Sequence, residues 1–112
     1  MNCRLAGILV PVFSLREESD LGIGDVTCLR EFVRFASEIE FGFVQLLPIN
    51  ETGPDNSPYN AISSVAIEPM TLDCRPSMLR DLTDEAYSEV IADYVLSSLR
   101  EGSVDYASVR SL

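Results

Sequence analysis

The chain contains no histidine, no lysine and no tryptophan. Without histidine it cannot assemble a Ser-His or Cys-His catalytic pair, or a histidine-ligated metal site, from its own residues. Cysteine is sparse as well. Cys3, Cys28 and Cys74 are odd in number and far apart, which gives neither a disulfide framework nor a CxxC site. They read as small hydrophobes or inert thiols in a reduced, cytoplasmic chain. Positive charge is scarce: eight arginines face 18 acids, so the formal net charge is −10 and the isoelectric point is near 4.2. Such a surface repels phosphate backbones, so no nucleic-acid partner is expected. Long apolar runs are missing too. The run from Leu5 to Phe13, behind Arg4, is far too short to span a bilayer, and no membrane partner is expected. Pro11 interrupts it and Arg16, Glu17 and Glu18 follow, which argues against a secretory leader.

What is present is 112 residues, 46% of them hydrophobic, enough for one domain with a core. Residues 5–13 (LAGILVPVF) predict a short strand buried on both faces, of the kind found in parallel sheets. Residues 14–24 are a polar loop ending in Gly22-Ile23-Gly24. From Asp25 to Glu40, apolar residues at Val26, Leu29, Phe32, Val33, Ala36 and Ile39 fall at helical spacing, with Asp25 or Thr27 as the cap and Gly42 as the stop. Phe43 to Leu47 predicts a second strand, closed by Pro48. Strand, helix, strand with a connection of this length implies a parallel crossover and an α/β fold.

Residues 49–60 (INETGPDNSPYN) are dense in turn formers and sit at the C-terminal end of the second strand, where ligands bind in parallel α/β folds. Residues 61–73 are ambiguous between helix and strand. Pro76 is placed to open a short helix to Leu82. Thr83 caps a longer one carrying Tyr87, Val90, Ile91, Tyr94, Val95 and Leu99 on its apolar face, with Arg100 and Gly102 at its end. A last helical segment covers 105–112. Two parallel strands alone each keep an unpaired edge, so the polypeptide is expected to be a piece of something larger or to need a partner.

The segments AGILVPVFSL (6–15), GIGD (22–25), EFVRF (31–35), VQLLPINETG (44–53), NSPYNAISSVA (56–66), EP (68–69), LD (72–73) and VDY (104–106) follow one another in order. In that order and spacing the chain resembles the N-terminal part of the 4-alpha-glucanotransferases. These enzymes, also called amylomaltases or disproportionating enzymes, form glycoside hydrolase family seventy-seven in the alpha-amylase clan. The SPY tripeptide beyond an LLP strand end is the most specific element. Val44 stands where the family has Trp, and Glu51 where it has Pro. Gly53-Pro54-Asp55 and Ile67-Glu68-Pro69 also depart from its pattern, the latter from Gly-Asn-Pro. The departures point to a divergent branch.

The resemblance implies an α/β fold that is the N-terminal portion of a (β/α)8 barrel, an architecture of ~250 residues. Residues 1–48 would be its first β-α-β unit. Residues 49–112 would be the SPY loop and the start of a helical subdomain inserted after the second strand, an incomplete domain with Leu112 as a truncation point. The implied activity is transfer of alpha-1,4-glucan segments between maltooligosaccharides or starch-type glucans, by a retaining double displacement that needs no metal or organic cofactor. Its two carboxylates stand ~5–5.5 Å apart. In the family they lie on later strands, and no acid here matches them. The chain would hold no catalytic residue, be inactive alone, and require the remainder of its own polypeptide as well as the glucan.

Within it the resemblance assigns Tyr59 to stack on a sugar, since a pyranose has an apolar face that packs on an aromatic ring. The alternative is a core tyrosine with its hydroxyl bonded to backbone. Ser57, Asn56 and Asp55 offer donors and acceptors to sugar hydroxyls, or else stabilise their own turn. The acids Glu17, Glu18, Asp20 and Asp25 read as a solvated loop plus a helix cap, and Glu89 and Asp93 as the wet face of a helix. The rival to an enzyme is a non-catalytic remnant or small glucan- or protein-binding module.

Overall fold

The computed structural model describes residues 4–92, 94 and 96–112; Cys3, Asp93 and Val95 lie outside the described residues. Aliphatic stretches form β1 (Gly7–Val10) and β2 (Phe43–Leu46), which pair in parallel with Gly7 opposite Phe43 and Val10 opposite Leu46. The crossover is α1 (Val26–Glu38). Of the two candidate caps it is Asp25 that serves, its carboxylate accepting from the backbone N–H groups of Thr27 and Cys28.

The expected strand-helix-strand unit is therefore present, with three corrections. β1 is shorter than residues 5–13. Pro11 has no N–H to extend the ladder, and the chain turns into one 3-10 turn at Val12–Ser14. Gly42 does not stop the helix; Glu40 takes the left-handed conformation with φ 63°, and the Gly42 N–H donates to the Ala6 carbonyl at 2.8 Å. Nor are the strands buried on both faces. Ile8, Val10, Val44 and Leu46 are half-buried, but Leu9 and Phe43 are about half exposed, at 54% and 48%. A parallel pair is buried on both faces only where a layer covers each, and α1 is the helix packed against the sheet.

Beyond β2 the patterns predict less well. Residues 61–73 are neither helix nor strand; they hold two antiparallel bridges, Asn50 with Ile67 and Thr52 with Ala61, and a 3-10 turn at Pro69–Thr71. The helix expected from Pro76 to Leu82 does not form. The N–H groups of Met78 and Leu79 both return to the Arg75 carbonyl and the run stops there. A single turn orders more dihedrals than one hydrogen bond offsets. The helix expected over 83–100 is divided into α2 (Asp84–Ala92) and α3 (Leu96–Arg100). Thr83 does cap α2, its Oγ1 accepting from the Ala86 N–H at 3.2 Å. Of the expected apolar face Leu99 is buried, whereas Val90 is exposed. The last helix, α4 (Tyr106–Ser111), starts at Asp105, which accepts from the Ser108 N–H.

Of the acids of the 16–25 loop, Glu18 is exposed and Asp25 is the expected helix cap, but Asp20 is not solvated. Asp20 is 1% exposed, and Asp25 is buried too. Arg16 donates to both oxygens of Asp20, and Arg100 donates to its carbonyl, so the loop is fastened to the end of α3. On its other side Arg75 donates to Asp73 at 2.7 and 2.8 Å, to Glu17 at 3.1 Å and to Ser19 at 2.7 Å. Thr27 does not cap α1; its hydroxyl donates to Asp73 at 2.6 Å. Cys28 lies beneath this network, and burial pushes its thiol up to about 12, so it stays neutral and serves as a small hydrophobe.

The Arg75 hydrogen bond, aided by Thr27, holds the Asp73 carboxyl down at about 2 against an ordinary 3.8. A carboxyl depressed on folding stabilises the fold above its unfolded pKa, and that stability is lost as pH falls through the folded value. The protein is thus expected to lose about 2 kcal/mol between pH 4 and pH 2 through this one group. Denaturant unfolding across that window checks it: Asp73→Asn should flatten the acid limb, and an unchanged limb would refute the assignment.

The chain exposes 7683 Å² and has a radius of gyration of 15.8 Å. A self-contained globule of its mass and length would expose roughly 6,100 Å² with a radius of roughly 13 Å. Leu9, Phe35, Phe43, Ile62 and Val65 are among the apolar side chains left open to solvent.

Candidate functional site

Because β1 and β2 are parallel, both chains leave the sheet at the same end. There β1 passes into the 3-10 turn at residues 12–14 and β2 into residues 47–60, and the Leu47 N–H still reaches the Val10 carbonyl at 3.2 Å. Residues 49–52 then run antiparallel to residues 61–68. Glu51 N–H donates to the Ala66 carbonyl, Ile62 N–H to that of Glu51, and Glu68 N–H to that of Ile49, all at 2.9–3.0 Å. This paired base closes off residues 53–60 as a loop of two turns, in which Asn56 N–H returns to the Gly53 carbonyl at 3.0 Å and Asn60 N–H to that of Ser57 at 2.9 Å.

All four residues singled out from the sequence lie on this loop, but they do different things. Tyr59 is 75% exposed and makes no hydrogen bond or ring contact among the described residues. Among the described residues its hydroxyl is therefore not bonded to backbone. Asp55 is engaged in turn chemistry: one oxygen accepts from the Ser57 N–H at 3.3 Å and the other from the Asn60 side chain at 2.7 Å. Those hydrogen bonds, the Asn60 one foremost, hold its carboxyl below the ordinary carboxylate range. Asn56 takes a left-handed backbone with φ 52°, a conformation asparagine tolerates, and its Oδ1 accepts from Arg110 of α4 at 3.0 Å. Ser57 is half-buried, with its N–H on Asp55 and its carbonyl on Asn60.

Three residues that hold the loop carried no sequence signal for it. Arg110 is 54 positions from Asn56. Glu68 meets Thr52, whose backbone N–H and hydroxyl both donate to its Oε2 at 2.8 Å. Helix α4, which brings Arg110, is itself seated by an edge-to-face contact of Tyr106 with Phe13, ring centres 6.1 Å apart. Only the scarcity of positive charge in this chain, and the departure from the family pattern at Glu68, set any of them apart.

A cavity of about 630 Å³ lies beside the loop, lined by apolar side chains including Pro54, Ile62, Met70, Leu82 and Tyr87. Tyr59, Ser57, Asn56 and Asp55 are all absent from its wall. A second depression of about 410 Å³ is bounded by Pro54, Asn56, Tyr106 and Arg110. Among the described residues no three His, Cys, Asp or Glu side chains are grouped to hold a metal ion, and no helix is long and apolar enough to cross a membrane. What the site offers chemically is an open aromatic face on a tethered loop, with hydroxyl and amide groups beside it.

Residues 10–112 match the sequence model of one family, glycoside hydrolase 77, described as 4-alpha-glucanotransferase. A 4-alpha-glucanotransferase of Chlamydia trachomatis serovar D is 35% identical over 106 residues, covering 95% of this chain and 20% of that protein. That of Chlamydia pneumoniae is 44% identical over 66 residues, 59% of this chain and 12% of the relative. The rice (Oryza sativa subsp. japonica) 4-alpha-glucanotransferase DPE2 is 36% identical over 98 residues, 78% of this chain and 10% of the relative. The chain spans a fifth or less of the length of these relatives.

Proposed function

Because the chain belongs to the family of 4-alpha-glucanotransferases, we propose that it forms part of the donor side of a glucan cleft in an enzyme that transfers alpha-1,4-glucan segments. The observation that carries this reading is Tyr59, 75% exposed on a loop fastened at the C-terminal end of two parallel strands. In (β/α)8 enzymes the loops at that end build the active site. An exposed aromatic ring there suits the C–H face of a glucose unit, and Ser57 beside it suits the sugar hydroxyls. Asn56 and Asp55 then contribute mainly by shaping the turn that presents the ring.

In this reading residues 1–48 are the first β-α-β unit of the barrel and residues 49–112 begin a subdomain inserted after its second strand. Support comes from the edges of β1 and β2, which no strand pairs among the described residues, and from the surplus of exposed surface, roughly 1,500 Å² beyond a self-contained globule of this mass. That is about twice the roughly 800 Å² that one partner gives to a standard specific interface. Further polypeptide is what would cover it.

The chemistry is a retaining displacement: one carboxylate attacks the sugar, a second protonates the leaving oxygen, and an acceptor glucan takes the place of water. We place neither carboxylate in this chain, whose part is to bind and orient glucan. A cytoplasmic setting fits the scattered cysteines, of which Cys28 and Cys74 are unpaired.

The test is maltooligosaccharide disproportionation by the full-length protein. Tyr59→Ala should raise KM roughly tenfold and change kcat little, because stacking binds ground state and transition state alike. Tyr59→Phe should retain most of the affinity. A wild-type KM in Tyr59→Ala would sink the role given to the ring.

A further inference from the structure

Glu68 is a buried carboxylate, 8% exposed, and none of the ion pairs among the described residues includes it. A charge in such a place is costly unless strong donors satisfy it. Here one residue supplies two of them: the Thr52 backbone N–H and hydroxyl both reach Oε2 at 2.8 Å. The main chain of Glu68 is fixed at the same time. Its N–H donates to the Ile49 carbonyl at 2.9 Å, and its carbonyl accepts the N–H and hydroxyl of Thr71 at 3.0 and 2.8 Å. Both ends of the side chain are thereby anchored.

Thr52 is the last residue bridged across the base, opposite Ala61, before the chain enters the 53–60 loop. The next residue, Gly53, is buried, and its carbonyl closes the first turn. The direction in which the loop leaves its base is therefore set at the residue that Glu68 grips, and Tyr59 lies on the returning limb, two residues before Thr52's bridge partner Ala61. Arg110 on Asn56 holds the loop from the other flank, but between exposed groups.

We propose that Glu68 is a positioning residue for the glucan-binding loop, acting through Thr52 to set where the Tyr59 ring stands. The inference rests on the reading of Tyr59 as a glucan contact, and the test keeps the two apart. Disproportionation kinetics and melting temperature are measured on the full-length protein as wild type, Y59A, E68A, E68Q and Y59A/E68A. E68A should raise KM roughly fivefold with kcat within about twofold, the scale of a lost charge-assisted hydrogen bond felt at one remove. E68Q should keep a near wild-type KM, since its amide oxygen still accepts both Thr52 donors. Y59A/E68A should be no worse than Y59A, because a residue that acts through the ring has nothing left to position.

A carboxylate that only held the fold together would lower melting temperature and kcat along with affinity, and its losses would multiply with those of Y59A. That pattern, or a wild-type KM in E68A, overturns the proposal. A wild-type KM in Y59A overturns the reading of Tyr59, with this inference along with it, and needs no Glu68 variant to detect. Should E68A fail to fold, Thr52→Val carries the same comparison. It deletes one donor while keeping the N–H and the volume, so a smaller rise in KM is expected, and none would overturn the proposal.

Discussion

Gly24→Ala is expected to destabilise the protein by at least about 3 kcal/mol, the upper end of what overpacking a tight site costs. A Cβ at residue 24 would stand 2.1 Å from the Val12 carbonyl oxygen, 2.5 Å from that of Leu15 and 2.9 Å from the Leu15 nitrogen. All three are backbone atoms, so no rotamer change relieves the clash. Relief requires the 3-10 turn at residues 12–14 to separate from the start of α1. That separation breaks the Gly24 N–H bond to the Phe13 carbonyl, 3.0 Å, and disturbs the Asp25 cap one residue on. Two other glycines calibrate the result. At Gly53 an added methyl finds its nearest atom, Ile62 Cγ2, at 3.5 Å, an ordinary contact, so Gly53→Ala should stay within about 1 kcal/mol of wild type. At Gly102 nothing lies within 4 Å but φ is +70°, so Gly102→Ala should cost roughly 1–2 kcal/mol through backbone strain alone. Chemical denaturation of the three variants orders them. Gly24→Ala unfolding at the same midpoint as Gly53→Ala would show that the close approach of the two segments does not matter to stability.

The parts that were legible in the sequence are those whose cause is local. The β1–α1–β2 unit announces itself because two apolar runs flank a stretch of helical spacing, and the Asp25 cap follows from residue type and place. Tyr59 was legible as a loop residue because Gly, Pro, Asn and Asp crowd around it, but its exposure was not, since the same position also suits a core tyrosine. What failed were outcomes decided at a distance or by a competing local term. The run 5–13 is apolar throughout, yet Pro11 lacks the donor that the ladder requires. The Gly42 stop was displaced because Glu40 turns the chain two residues earlier. Asp20 looks like a solvated acid in a polar loop, since nothing in its neighbourhood reveals that Arg100, 80 positions away, will meet its carbonyl. The grip of Glu68 on Thr52 spans 16 residues and that of Arg110 on Asn56 spans 54, with no periodicity to link either pair.

Asp20→Ala should be at least as damaging as any single substitution at the proposed glucan site, with an expected loss of about 3–5 kcal/mol. The Asp20 carboxylate accepts from Arg16 Nε at 2.6 Å, Arg16 Nη2 at 3.1 Å, the Glu17 N–H at 3.0 Å and the Gly22 N–H at 2.8 Å, and its side chain is fully buried. Burial pushes this carboxyl up, but the donors from Arg16, Gly22 and Glu17 together outweigh it and hold it below 3.8. It is charged at neutral pH, and its stabilisation is lost as pH falls beneath that value. Truncation to alanine strands the Arg16 guanidinium, whose remaining partner is the Leu99 carbonyl at 3.2 Å, and leaves two backbone N–H groups without acceptors. Asn retains one acceptor oxygen but turns an amide N–H₂ toward donors, so Asp20→Asn should recover only part of the loss. The decisive comparison is with Arg16→Met and the double variant. Removing both partners takes away the stranded charge, so Asp20→Ala with Arg16→Met should be less destabilised than the sum of the two singles by about 1–3 kcal/mol. Strict additivity would mean that Arg16 and Asp20 stabilise the loop independently, with no coupling energy in the ion pair between them.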